Sequence, residues 1–143
     1  MVTRTAAELV GAMDASQRDV ENWVKRLNLS TTYHKPEHGL PRLFSRLNGL
    51  ELAFVAALVR GGATPAKAAA YARLFVLDAR YGRLGKKWKS WFVFARGNLD
   101  HAVGTNEIDV DNPEIKKLNA TTLSCVNVKE LIRRVDDLFS EAD

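Results

Sequence analysis

The sequence predicts a mainly α protein with a small amount of β structure, arranged as two units in a chain of 143 residues. Capping signals followed by apolar residues at helical spacing mark several helices in the front part of the chain. A turn-rich polar segment follows the second helix, and runs of β-branched and aromatic residues occur near the C-terminal end. We therefore expect a winged helix-turn-helix domain over residues 1–80, a basic linker over 81–90 and a small α/β unit over 91–143.

Two short helices separated by a tight turn open the chain. Thr5 with Glu8, and Ser16 with Asp19, have the spacing by which a hydroxyl and an acid cap a helix start. The second helix has one apolar face, made of Val20, Val24 and Leu27 with Trp23 beside them. Trp23 is expected in the core rather than stacked on a base, because it lies on that face. This arrangement is typical of a helix-turn-helix.

A short hairpin is predicted directly after the second helix. Thr31–Tyr33 favours extended backbone, Lys35–Gly39 is rich in turn residues, and Leu40–Phe44 can return as a second strand. The tip of this hairpin is polar and partly basic. A hairpin at this place corresponds to a wing.

The rest of the chain alternates helices and short strands. Ser45 can cap a long helix that Gly61–Gly62 ends, and Thr64–Pro65 then begins another helix to about Arg80. Strands are expected at Trp91–Ala95 and Thr121–Val128. The predicted loop between them contains one short strand at Glu107–Val110 and a helical turn opened by Asn112–Pro113. Asn127 is expected to cap a final helix through Phe139.

Charge is distributed unevenly along the chain, whose net charge is +4. Residues 1–60 carry +2, residues 61–97 carry +7 and residues 98–143 carry −5. This favours a front two-thirds that binds a polyanion and an acidic C-terminal part that does not. A solvated surface with uneven charge is an equal alternative on charge alone.

Several classes of protein are not expected. No apolar run approaches the ~18 residues of a transmembrane helix, and the first residues lack the features of a signal peptide. Cys125 is the only cysteine, so we expect a buried, inert thiol and no disulfide or cysteine-based zinc site. His34 and His38 lack a third nearby metal ligand, and no serine or cysteine motif accompanies the histidines. We therefore expect no metal, no cofactor, no enzymatic activity and a cytoplasmic location.

The order helix, turn, helix, wing, long helix, Gly-Gly-x-Thr-Pro, helix covers Thr5 to about Leu77, and it resembles the DNA-binding domain of MerR-like regulators. The matching residues are Ala7-Glu8-Leu9, Ser16, Val20-x-x-Trp23, Arg26-Leu27-x-Leu29, Gly39-x-x-Arg42-x-Phe44-Ser45 and Gly62-x-Thr64. The resemblance implies a bacterial or phage transcription regulator that binds double-stranded DNA and is associated with the nucleoid. A homodimer is expected because one module of this size offers few base contacts and a two-fold site doubles them. The chain departs from the family at Glu21, where an arginine is common, and it lacks the clustered cysteines of metal-sensing members.

The candidate DNA-binding residues follow from helix-turn-helix docking, in which the second helix enters the major groove. Gln17 and Arg18, just after Ser16, are placed to contact base edges, since glutamine can pair with adenine and arginine with guanine. Asn22 and Lys25 lie further along the same face and are suited to phosphates. The alternative for Arg18 is a solvated charge or an ion pair with Glu21.

Two further groups of residues are candidates for the DNA backbone. His34, Lys35 and Arg42 belong to the wing, and Arg42 is the strongest of these. The linker cations could contact flanking phosphates or could only solubilise the linker; they are Arg80, Arg83, Lys86, Lys87 and Lys89. The aromatic residues interleaved with them are expected to cover the junction of the two units rather than to stack on unpaired bases; they are Tyr81, Trp88 and Trp91.

These features predict a sequence-specific transcription regulator, with repression as the expected effect and activation left open. The C-terminal unit is expected to form the homodimer, or to bind a protein partner or a small effector. One alternative is an architectural protein of the excisionase or DNA-packaging adaptor type. Another is a protein-interaction module on a winged-helix scaffold, which Glu21 favours.

Overall fold

A computed structural model describes residues 2–140, apart from the side chain of Lys86. About half of the described residues are helical, and two small antiparallel sheets complete the fold. The helices are α1 (Ala6–Leu9), α2 (Gln17–Arg26), α3 (Arg46–Arg60), α4 (Pro65–Arg80), α5 (Leu84–Lys87), α6 (Pro113–Lys116) and α7 (Val128–Phe139). The strands are β1 (Arg4–Thr5), β2 (Leu43–Phe44), β3 (Trp91–Ala95), β4 (Asn98–Thr105) and β5 (Leu123–Asn127). No helix in this part of the chain is both long enough and apolar enough to cross a membrane.

The predicted helix starts are confirmed by their caps. The hydroxyl of Thr5 accepts a hydrogen bond from the backbone N–H of Glu8, and Ser45 caps α3 in the same way through Asn48. Thr64 caps α4, whose first residue is a proline as predicted. The first helix, α1, has only four residues, and a 3-10 turn over Val10–Ala12 continues it. Local side-chain chemistry therefore defines these helix starts.

The predicted wing hairpin is wrong in its pairing. β2 pairs antiparallel with β1, so that Phe44 lies opposite Arg4. Thr31–Tyr33 forms no strand, because its polar groups are bound by α3 side chains instead. The turn is confirmed: the backbone N–H of Leu40 donates to the carbonyl of Glu37 at 2.9 Å, and Gly39 has a positive φ of 78°. The segment after α2 is thus an irregular loop with an ordered turn.

The C-terminal sheet has three strands in the order β4-β3-β5. β3 lies in the centre, as its apolar sequence predicted, and β5 and α7 form where they were expected. The prediction of a loop was wrong for β4, because its glycine, asparagine and aspartate residues are weak strand formers and only pairing with β3 specifies the strand. The short strand predicted at Glu107–Val110 does not form, and this segment is a turn.

One hydrophobic core runs through both predicted units. Trp88 from the predicted linker is fully buried and packs edge-on against Phe54 of α3 and Phe75 of α4, with centroid distances of 5.2 and 5.5 Å. It also contacts Phe92 of β3 at 5.0 Å, and its indole N–H donates to Asp78 at 2.8 Å. The prediction that Trp88 covers the junction is confirmed, but the same prediction is wrong for Tyr81, whose side chain is 63% exposed.

Close approach of β4 to α5 requires a glycine. A Cβ at Gly104 would lie 2.0 Å from the carbonyl oxygen of Lys87, which is rigid backbone. Any side chain at this position would therefore push β4 away from the segment that carries Trp88.

We expect Gly104→Ala to lower the unfolding free energy by about 2 kcal/mol or more, because the added methyl must displace backbone in a packed region. Thermal unfolding followed by circular dichroism measures this loss. Gly85→Ala in α5 is the matched control, since nothing lies within 4 Å of a Cβ there and alanine favours a helix. Equal melting temperatures for the two variants would contradict the close approach.

Candidate nucleic-acid interface

The outer face of α2 carries the side chains predicted to contact DNA. Val20 and Trp23 are buried on its inner face, which confirms the core role of Trp23. Arg18, Asn22 and Lys25 recur at helical spacing on the opposite side, with Arg18 and Lys25 exposed and Asn22 half-buried. Gln17 is exposed in the first turn. One helix face thus brings three of the predicted residues together, and Gln17 lies about 100° around the helix from Arg18.

Ser16 fixes the start of this helix. Its hydroxyl accepts a hydrogen bond from the N–H of Asp19 at 3.1 Å, and its own N–H donates to the Asp19 carboxylate at 3.1 Å. This reciprocal cap holds the first turn, which presents Gln17 and Arg18. Ser16 has this capping role in the structure, and its direct contact with DNA stays a prediction.

The guanidinium of Arg18 is not engaged by a carboxylate in the described structure. The alternative pairing with Glu21 is absent, because no ion pair between described residues involves Arg18. By contrast, Arg133 and Arg134 of α7 are both paired with Glu130. The two arginines of the acidic C-terminal helix are therefore neutralised locally, whereas Arg18 faces solvent.

A groove between α2 and α4 adds cations that the sequence analysis did not select. It has a volume of about 430 Å³ and is lined by Arg26, Leu27, Asn28, Ala66, Ala69, Ala70 and Arg73. Arg26 and Arg73 are exposed, and neither takes part in an ion pair between described residues. The alanines leave the groove open. The sequence signal was the Ala-rich α4 start with Arg73 at helical spacing from Ala66 and Ala69, but only the packing places it beside Arg26.

The loop after α2 is braced by Arg42. Its Nη1 donates to the carbonyl oxygen of His34 at 2.8 Å, and its Nε is buried without a hydrogen-bond partner in residues 2–140. His34 and Lys35 are exposed. Arg42 therefore ties together the two limbs of the loop that presents these two side chains, and its own contact with DNA stays a prediction.

A buried carboxylate fixes the same loop at its other end. Glu51 of α3 is fully buried. One oxygen accepts hydrogen bonds from the N–H and the hydroxyl of Ser30 at 2.7 and 2.8 Å. The other accepts from the N–H and hydroxyl of Thr31 at 3.1 and 2.5 Å, and from the Tyr33 hydroxyl at 2.9 Å. Five donors thus converge on one carboxylate.

Asn48, one turn earlier in α3, extends this network. Its side-chain amide donates to the hydroxyl of Thr31 at 2.8 Å and to the carbonyl of Thr32 at 3.1 Å. The network joins the segment leaving α2 to the central helix α3. It was missed because a single acid among the apolar residues of α3 gives no indication of its partners.

The hydrogen bonds decide the ionisation of this site. Burial alone would raise the pKa of Glu51, but the bonds from Thr31, Ser30 and Tyr33 outweigh burial and hold its pKa below the usual value. Burial and the negative charge of Glu51 raise the pKa of Tyr33, so the phenol stays protonated and donates. Glu51 is therefore ionised at neutral pH.

The linker cations lie on and after the end of α4, and Arg80 lines a cavity with Thr32 and His34 of the loop that follows α2. Lys87 is exposed on α5, where its ammonium lies 5.3 Å from the centroid of the Trp88 ring. α5 packs on α4. The side chain of Lys86 lies outside the described residues. A contact of Lys87 with DNA stays a prediction.

Cys125 corrects another expectation, because its side chain is exposed. β5 alternates, and Ser124 and Val126 are the residues that point into the core. Partial burial nevertheless raises the pKa of the Cys125 thiol, which disfavours the reactive thiolate. The thiol is therefore accessible but not activated.

No group of three histidine, cysteine or acidic side chains within residues 2–140 could hold a metal ion. Comparison of the chain with protein-family models, with curated proteins and with solved structures gives no match.

Replacing Glu51 by glutamine keeps the volume but turns an amide NH₂ toward donors that need an acceptor. We expect Glu51→Gln to lower the unfolding free energy at pH 7 by about 3 kcal/mol. The folded pKa is lowered, so this stabilisation is complete above the unfolded-chain pKa of about 4.3 and is lost as the pH falls through the folded value. Denaturant unfolding at several pH values should therefore show the wild-type and variant values converging in acid.

Glu37→Gln is the matched control for this substitution. Glu37 is exposed in the same loop, and its side chain makes no hydrogen bond or ion pair with the described residues. It should unfold like the wild type at every pH. If Glu51→Gln also matched the wild type at pH 7, the carboxylate would not stabilise the fold.

Proposed function

We propose that the protein is a sequence-specific transcription regulator that binds double-stranded DNA through a winged helix-turn-helix, with repression as its effect. The observation that carries this proposal is the outer face of α2, which presents Arg18 and Lys25 exposed and without a carboxylate partner in the described chain. Unpaired cations on one helix face suit phosphates and base edges, because no internal ion pair has to break on binding.

The start of α2 is the part that reads sequence. In helix-turn-helix docking, residues near the start of the second helix reach base edges in the major groove. Gln17 and Arg18 lie there in the exposed first turn, which the Ser16 cap fixes. Arginine can bind guanine with two hydrogen bonds and glutamine can do the same with adenine. Arg18 is therefore the residue on which sequence preference depends most.

The groove between α2 and α4 supplies a contact to the backbone. Arg26 and Arg73 flank it, and the alanines between them allow a phosphate to approach closely. Phosphate contacts fix the register of a protein on the duplex without specifying sequence. The braced loop with His34 and Lys35, which is not a hairpin, would contact the neighbouring backbone in the place of a wing.

A homodimer follows from the small number of bases that one copy of α2 can contact. One short helix contacts few bases, and a two-fold arrangement doubles the contacts at a spacing that the dimer fixes. Binding over a promoter would then exclude the polymerase, which is the basis of the proposed repression.

One observation favours a second function, that of a protein-interaction module. Glu21 is half-buried in the middle of α2, and its negative charge beside Arg18 disfavours close approach of a phosphate. A protein partner with its own cation opposite Glu21 would not meet this repulsion.

Selection of bound sequences from random duplex DNA tests the proposed function. We expect a motif with two-fold symmetry and an affinity that falls steeply with salt concentration. Enrichment of no motif, together with binding that does not depend on salt, would favour the protein-interaction module instead.

Two substitutions separate base reading from backbone contact. Arg18→Ala should cost about 1–3 kcal/mol on the selected site and relax the preference at one base position. Arg73→Ala should weaken binding to all sequences alike and reduce the salt slope by about 1. Lys129→Ala in the acidic C-terminal part is the matched control and should bind as the wild type does. An equal effect of all three substitutions would contradict the assignment of α2 as the reading helix.

A further inference from the structure

An apolar stripe runs along the exposed side of α4. Leu74, Leu77 and Tyr81 recur at helical spacing, and their exposed fractions are 40%, 43% and 63%. Single exposed apolar residues are common on protein surfaces, but three on one helix face form a continuous patch. The rest of α4 faces the core through Ala68, Ala72, Phe75 and Val76. The stripe is thus a second apolar face that no described part of the chain covers.

Cations border this stripe. Arg73 and Arg80 are exposed and form no ion pair with residues 2–140. The guanidinium of Arg83 lies over the Tyr81 ring, 5.2 Å from its centroid, and is already ion-paired with Asp78 at 3.6 Å. A partner that covers the stripe must therefore combine apolar side chains with negative charge.

The chain itself carries a segment of that chemistry, the turn over residues 107–111 after β4. Ile108 and Val110 are 46% and 78% exposed and alternate with the acids Glu107, Asp109 and Asp111, of which Asp111 is ion-paired with Lys116 at 3.6 Å. Together with the stripe, this turn contributes five of the seven large apolar side chains that are exposed within residues 2–140. Cations border the stripe and acids border the apolar residues of the turn, so the surroundings of the two apolar patches have opposite charge.

The turn is ordered by its own hydrogen bonds. The Thr105 hydroxyl donates to the carbonyl of Glu107 at 2.9 Å, and the N–H of Asp111 donates to the Asp109 carboxylate at 2.9 Å. The N–H of Asn112 also donates to the carbonyl of Asp109 at 2.9 Å. A turn held in this way presents Ile108 and Val110 at little conformational cost on binding.

We propose that the turn over residues 107–111 of a second copy of this chain docks on the stripe of α4. Ile108 and Val110 would cover Leu74, Leu77 and Tyr81, and Glu107 and Asp109 would face Arg80. Contact between two stripes would bring cations of both copies together, and contact between two turns would bring acids of both copies together. Only the unlike contact satisfies both charge and apolar burial. Reciprocal contacts close a dimer, and a one-way contact extends a chain.

Two variants test this contact in the absence of DNA, so the result does not depend on the proposed function. The stripe variant combines Leu77→Ala with Arg80→Glu, and the turn variant combines Val110→Ala with Glu107→Lys. All four residues are exposed, so circular dichroism and thermal unfolding should match the wild type. Sedimentation velocity over a concentration series should show the wild type above the 15.9 kDa of one chain and each variant alone at that mass.

An equimolar mixture of the two variants distinguishes the unlike contact from any other. The stripe variant keeps an intact turn and the turn variant keeps an intact stripe, so the mixture should form a 1:1 dimer. Arg80→Glu and Glu107→Lys together in one chain exchange the charges and should restore self-association. Leu40→Ala, which removes an exposed leucine outside both patches, should associate as the wild type does.

Three results would overturn the proposal. The first is a wild-type chain that sediments at the mass of one chain at every concentration. The second is a mixture of the variants that stays monomeric while the wild type associates. The third is loss of association in only one of the two variants. The patch that is altered in the variant that still associates would then take no part in the contact.

Discussion

The buried carboxylate of Glu51 is the constraint on which the arrangement of the candidate interface depends. It lies in the middle of the central helix α3 and has no cation as a partner among the described residues, so its charge is compensated by the five donors of Ser30, Thr31 and Tyr33. Those donors belong to the segment that leaves α2. The segment after α2, and with it the loop presenting His34 and Lys35, is therefore held on α3 by polar contacts. Leaving these buried groups unpaired would be costly, because the interior has a low dielectric constant.

The packing of Trp88 joins the N-terminal helices to the C-terminal sheet. Trp88 fills the space between α3, α4 and β3, and its indole N–H is satisfied by Asp78. Gly61 at the end of α3 touches the same layer, since a Cβ there would lie 2.4 Å from the Phe94 ring. The C-terminal sheet therefore packs on the helices that carry the interface, and one continuous core supports both the outer face of α2 and the stripe on α4.

The arginines of α7 and the cations of the candidate interface differ in whether they contact a carboxylate. The arginines of α7 are held in ion pairs with Glu130 and Asp137, and these bonds lower the pKa of Glu130 to about 2. The cations of α2 and of the groove beside it have no such partners in the described structure. The net charges of the segments, +7 for residues 61–97 and −5 for residues 98–143, do not show this difference, because they do not record which charges meet.

Local sequence was enough to predict most of the helices and their starts, because a cap needs only residues three apart: Thr5, Ser16, Ser45, Thr64 and Asn127 all cap as predicted. It was also enough for the strands β3 and β5 and for the exposure of Arg18, but not for α5, which lies in the segment expected to be a linker. Tertiary structure decided the rest. β2 pairs with the distant β1, β4 forms on β3 despite weak strand formers, and Arg73 meets Arg26 across a groove. These features depend on residues far apart in the chain, and local propensity carries no information about which distant group will supply the partner.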